Sequence, residues 1–239
     1  MQRKRFLATA AAGLAGASTA GIAIARGDGH DDSRALPLRR LRLPAGGRAI
    51  VAFAIGQHVN VIDTAGPWEV FQDVGAETGG SSPFDLVTVA ETTDPVHATG
   101  GLTLVPHHAY DDCPQPNVIV VPAHHATTAT REWLRRAAAE ADVVMSVCTG
   151  AFVLAEAGLL DGRTATTHHG FFGQFESSFR QVELVRGARF VEHDDVATAA
   201  GLTSGIDLAL RVVARYLGRP AAAATARYME HESPRWRTA

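Results

Sequence analysis

Residues 142–160 read Asp142-Val-Val-Met-Ser-Val147-Cys148-Thr149-Gly150-Ala-Phe-Val-Leu-Ala-Glu-Ala-Gly-Leu-Leu160. Residues 142–147 have the length and apolar character of a strand covered on both faces. From Gly150 to Leu160 the chain is apolar nearly all round, which predicts a buried helix. Cys148 stands where the strand ends and the helix begins. This requires a sharp turn at the carboxyl edge of a parallel sheet, where open α/β sheets bind their ligands.

The pattern continues outward. Arg48 to Ile55, Phe84 to Val89 and Asn117 to Pro122 are further apolar runs of strand length. Gly66-Pro67 opens a helical pattern with Trp68, Val70, Phe71 and Val74 on one face, and Thr130 to Ala141 reads as a charged amphipathic helix. Strands alternating with helices imply a parallel sheet with right-handed crossovers. The predicted fold is a three-layer α/β/α sandwich with a mostly parallel sheet. No internal repeat is visible.

The chain has 239 residues, 46% of them hydrophobic and 20% charged, with a net charge of -3 and 2 cysteines. This excludes a disordered chain and a disulfide-stapled scaffold. The mild acidity argues against a nucleic-acid partner. Arg3-Lys4-Arg5 precedes a small, apolar run from Phe6 to Ala25 that ends in Ala23-Ile24-Ala25. That is the layout of a secretory signal peptide over residues 1–25, Tat-like or Sec, which predicts export to the periplasm or outside the cell. The run is too rich in Ala, Gly, Ser and Thr for a stable membrane span after processing. Residues 26–47 read as a solvated linker, 48–231 as one α/β domain and 232–239 as a tail, with Trp236 unconstrained.

A thiol placed as Cys148 is meets the positive end of a helix dipole and free N–H groups, which predicts a lowered pKa and a nucleophile. The geometry is that of a nucleophile elbow. Taken alone, the same residue also reads as a small buried hydrophobe. Asp63 likewise reads either as a partner for the thiol or as a residue that satisfies free N–H groups at a helix start.

Cys148-Thr149-Gly150-Ala151, followed by Ala157-Gly158-Leu159-Leu160-Asp161-Gly162 and Ala165-Thr166-Thr167-His168, resembles the nucleophile segment of the ThiJ/PfpI family. That family lies in the flavodoxin-like, class I glutamine amidotransferase-like superfamily. Ile62-Asp63-Thr64-Ala65-Gly66-Pro67-Trp68 is similar to its first loop and helix, and Ala200-Gly201-Leu202-Thr203-Ser204-Gly205 to its C-terminal helix entry. The Asp63 and Cys148-Thr149 combination is most similar to isonitrile hydratase-like members. The resemblance implies a Cys-dependent hydro-lyase that adds water to an isonitrile through a thioimidate on Cys148. Asp63 would be the proton store and Thr149 would orient water. It also implies a homodimer. His168, His169 and Gly150 would bind or orient substrate. Ala123-His124-His125 stands where relatives have Gly-Gly, so the Ala123 backbone and the His124 ring join the candidate site.

The alternatives from other classes are a non-catalytic small-molecule sensor of the same superfamily and a redox-responsive protein oxidised at Cys148. No cofactor is expected. No metal is expected either: the 11 His include three adjacent pairs, but no H-E-x-x-H or paired CxxC motif. Cys113 reads as a lone loop thiol, and Asp207 as a helix cap.

Overall fold

The computed structural model describes residues 38–237. The expected signal peptide and most of the expected linker lie outside the described residues. The central strands are β1 (Ala49–Ala54), β2 (Phe84–Ala90), β3 (His108–Ala109), β4 (Val118–Val121), β5 (Val143–Val147), β6 (Phe190–Glu192) and β7 (Val196–Ala199). The helices are α1 (Val61–Gln72), α2 (Thr128–Ala138), α3 (Gly150–Glu156), α4 (Phe172–Ser178), α5 (Ser204–Leu217) and α6 (Arg219–Tyr228). The seven strands form one sheet in the order β6-β7-β5-β4-β1-β2-β3, and all neighbours are parallel except β6 and β7.

Successive strand residues face opposite layers. Val51, Phe53, Val120 and Met145 pack with Phe71 of α1 and Leu208 of α5. Ala52, Ala54, Ile119 and Val144 pack with Trp133 and Leu134 of α2 and Leu154 of α3. Burial on both faces explains why these strands read as continuous apolar runs. The structure is the expected three-layer α/β/α sandwich.

Two helix boundaries differ from the sequence reading by four or five residues. Helix α1 starts at Val61, five residues before Gly66, because the Asn60 side chain caps it, accepting from the N–H groups of Ile62 and Asp63 at 3.1 and 3.4 Å. Pro67 therefore lies inside the helix, where it removes one backbone bond. It is accommodated against α5, where a Cβ on Gly205 would stand 3.1 Å from its ring. Helix α3 ends at Glu156 rather than Leu160, and the chain turns at Gly158, whose φ is +77°.

The end of the expected linker is also packed. Leu41 is buried and its N–H donates to the Arg215 carbonyl at 3.0 Å, while the Arg39 N–H donates to Asp194 at 2.9 Å. An extended strap of a few residues has no helical or strand periodicity to reveal it. Trp236 is buried in the same layer as α5, not unconstrained. That layer also buries an ion pair, with Arg211 Nε donating to Glu192 at 2.7 Å and both side chains about 1% exposed. Among the described residues, no helix is long and apolar enough to cross a membrane.

Candidate active site at Cys148

Strand β5 ends at Val147, and Cys148 follows in the left-handed region with a φ of +59°. This conformation costs a non-glycine residue on the order of 1–2 kcal/mol, so its surroundings must hold it there. Its N–H donates to the carbonyls of Ala199 and Ala200 at 3.2 and 2.8 Å, and its carbonyl accepts from the buried Thr167 hydroxyl at 2.8 Å. Gly150 is required two residues on, because a Cβ there would lie 2.1 Å from the Val121 carbonyl oxygen. The turn thus wedges the start of α3 against the end of β4.

The backbone N–H groups of Thr149 and Leu202 lie near the sulfur and favour its thiolate form. Leu202 is itself at a φ of +54°. Leu202 is not a glycine, so nothing local marks that left-handed turn, and Leu202 is absent from the expected site residues. Thr149 starts α3 and its side chain makes no capping bond. Among the described residues its hydroxyl is therefore available for a water or a substrate.

Asp63 is the third residue of α1 and is fully buried. It is not the helix cap, since Asn60 fills that position. One oxygen, Oδ2, accepts from the Ala123 N–H at 3.3 Å, and Oδ1 has no partner among the described residues. Burial pushes the Asp63 carboxyl up to about 6, against the pull of the Ala123 N–H and the nearby Cys148 thiol. Burial, and then the charge of Asp63, push the Cys148 thiol up to about 11, although the two N–H groups near the sulfur favour thiolate. The two groups perturb each other without a well-aligned hydrogen bond between them.

The raised thiol reverses the expected direction. The N–H group of Thr149 at the start of α3 acts in the anticipated direction, but desolvation of a residue only 6% exposed outweighs it. At neutral pH the proton sits on sulfur and Asp63 is ionised.

The remaining expected residues fall around this pair in different roles. Ala123 lends its N–H to Asp63. The His124 ring turns inward: Nδ1 carries the proton it donates to the Pro122 carbonyl at 2.9 Å. Burial lowers its pKa to about 4, so it is neutral, and its buried Nε2 has no partner among the described residues. His168 makes no hydrogen bond to Cys148. Its Nδ1 accepts from the Gly170 N–H at 3.1 Å and its ring rests against Gly201, next to Leu202. His169 is exposed and stacks on His168, with centroids 4.4 Å apart. Both line a cavity that neither Cys148 nor Asp63 lines.

Both cysteines are free. Asp207 is not a cap. It lies in the first turn of α5, fully buried, accepting from Arg189 at 2.6 Å and facing His231 Nε2 at 3.0 Å. Among the described residues, no group of three or more His, Cys, Asp or Glu could hold a metal ion.

Known proteins resemble this chain in sequence and fold. An isonitrile hydratase from Pseudomonas putida is 32% identical over 179 residues, which cover 70% of this chain and 72% of that protein. The HTH-type transcriptional regulator CdhR from Pseudomonas aeruginosa is 32% identical over 129 residues, 52% of this chain and 38% of the regulator. Among solved structures, a ThiJ/PfpI family protein from Pseudomonas syringae superposes with a TM-score of 0.67 at 25% identity, covering 88% of this chain and 84% of that one. Residues 49–215 match the DJ-1/PfpI family model, so the chain belongs to the DJ-1/PfpI family.

Proposed function

We propose that this protein is a Cys-dependent hydratase that converts an isonitrile to an N-substituted formamide. The observation that carries the reading is the buried Cys148–Asp63 pair, with the Thr149 and Leu202 N–H groups near the sulfur and the Ala123 N–H on the carboxylate. An isonitrile reacts at a terminal carbon on a linear group, which suits a sulfur that is almost covered. The likeness to an isonitrile hydratase supports the same substrate class.

The chemistry follows from where the proton rests. As sulfur attacks the terminal carbon, its proton passes to Asp63, whose pKa near 6 makes it a competent base at neutral pH. Asp63 then protonates the former isonitrile carbon, giving a thioimidate on Cys148. Water adds to that carbon, and its protons pass to the nitrogen and, through Asp63, back to the sulfur as the carbon–sulfur bond breaks. One isonitrile and one water give one formamide. The Thr149 hydroxyl, free of capping duty, orients the water.

A second reading has its own support. A thiol held protonated also suits a binding module without turnover, and several relatives are transcriptional regulators. The test incubates the purified protein with cyclohexyl isocyanide and measures the formamide by mass spectrometry. Formation that is lost in Cys148→Ala and in Asp63→Ala supports the hydratase. No turnover, together with thermal stabilisation by the isonitrile, supports the sensor.

A further inference from the structure

A cavity of about 710 Å3 opens between α4, β6, the 200–204 segment and the C-terminal turn. Its lining includes Arg189, Arg235, His168 and His169, with Phe172 and Leu202 as apolar surface, and contains no Asp or Glu. Arg189 is held in place. Its Nε donates to Asp207 at 2.6 Å and its Nη2 to the Thr203 hydroxyl at 3.1 Å, while Nη1 has no partner among the described residues. The Asp207 carboxylate that anchors it is buried and braced on its other oxygen by His231. Arg235 is exposed, and its guanidinium has no acidic partner among the described residues. One anchored and one free guanidinium over an apolar floor suit a small organic anion, whose charged end the arginines would grip bidentately.

The same cavity shares a wall with the thiol site. Residues 200–203 line it, and two of them adjoin Cys148: the Ala200 carbonyl accepts the Cys148 N–H at 2.8 Å, and the Leu202 N–H lies near its sulfur. The segment has little slack, since a Cβ on Gly201 would stand 2.3 Å from the His168 ring. A ligand that pulls on Arg189, and so on Thr203, or that presses on His168 would shift the Leu202 N–H relative to the sulfur.

We propose that this cavity binds a small organic anion, a carboxylate or phosphate monoester with an apolar body, and that its occupancy alters the reactivity of Cys148. The reaction class proposed for Cys148 is not needed for this inference. The probes are benzoate and phenyl phosphate, with neutral benzamide as control, titrated calorimetrically into the full-length protein. The variants are Arg235→Glu, at an exposed position, and Arg189→Gln, each checked for folding by circular dichroism. Cys148 reactivity is read as the rate of iodoacetamide labelling of the Cys148 peptide, with and without saturating probe. This readout does not depend on turnover.

The expected result is saturable binding of at least one anion but not of benzamide. Affinity should fall about tenfold or more in Arg235→Glu, as expected on losing a charge-assisted contact. The Cys148 labelling rate should change as the probe saturates wild type, and the same change in Arg235→Glu should need about tenfold more probe or more. The tighter of the two anions identifies the head group. The proposal is overturned if neither anion binds, if both folded variants bind like wild type, or if a saturating anion leaves Cys148 labelling unchanged.

Discussion

Asp63 faces the Cys148 sulfur from the first turn of α1, and its charge helps burial keep the thiol protonated. The pair carries one proton and one negative charge at neutral pH, with the proton on sulfur. This is the opposite of a preformed thiolate, and it makes the carboxylate the group that must act before the sulfur can.

Removing the charge at Asp63 should therefore make Cys148 more reactive to a simple alkylating agent while abolishing the proposed hydration. In Asp63→Asn the repulsion that raises the thiol pKa is gone. Iodoacetamide labelling of the Cys148 peptide at pH 8 should speed up by roughly threefold for each unit the pKa falls, since the gain in thiolate outweighs its reduced nucleophilicity. Formamide production should fall in the same variant. Slower labelling in Asp63→Asn would show that the carboxylate activates the thiol at rest.

The same carboxyl makes stability depend on pH in a defined direction. Folded Asp63 has a pKa near 6, above its ordinary value of 3.8. The folded state therefore binds more protons than the unfolded state between about pH 4 and pH 6, and stability falls as pH rises through that window. Asp63→Asn, which can still accept from Ala123, should be more stable than wild type by about 2–3 kcal/mol above pH 7. The advantage should shrink to near zero at pH 4. Urea unfolding across pH 4 to 8 measures it, and parallel curves at every pH would contradict the buried-acid account.

Gly150→Ala should be among the most damaging small substitutions, costing about 3 kcal/mol or more, because the new methyl would overlap the Val121 carbonyl. Gly173→Ala in α4 is the control. Its Cβ would meet nothing within 4 Å, and the better helix former should be neutral or stabilise by up to about 1 kcal/mol. Thermal denaturation of both proteins separates close approach from a general intolerance of change.

The buried Arg211–Glu192 pair should show the asymmetry of desolvated charges. Arg211→Met removes the hydrogen-bonded partner of the buried Glu192 and should cost about 3–5 kcal/mol. The double variant Arg211→Met with Glu192→Leu should recover part of that loss, because the desolvated carboxylate is gone while buried Arg215 keeps its bonds to the Arg39 and Asp194 carbonyls. A double-mutant cycle by chemical denaturation measures the coupling, and additive losses would mean that each residue acts by packing alone.

Much of the architecture was legible because each strand is covered on both faces, and that leaves continuous apolar runs such as Ile50–Ala54 and Val118–Val121. Cys148 was legible for a related reason: with Val147 closing a strand and Gly150 opening a helix, the thiol had one place to go. Helix α1 was read five residues late because Pro67 is a strong local signal, and the Asn60 cap and the Gly205 contact that overrule it are five residues or more away. The strap at Leu41 and the buried Trp236 were missed because single residues packed against α5 have no period.

By itself, the sequence determined the layer order of the fold, the family motifs and the position of the thiol at a strand-to-helix junction, since all of these depend on local spacing. Only the tertiary structure decided the state of that thiol. Burial of Cys148, the charge of Asp63 and the N–H of Leu202 come from three separate segments of the chain, and their balance is set by distance and desolvation rather than by pattern. Local reasoning anticipated a thiolate from the helix dipole, and the removal of water from the sulfur reverses that result.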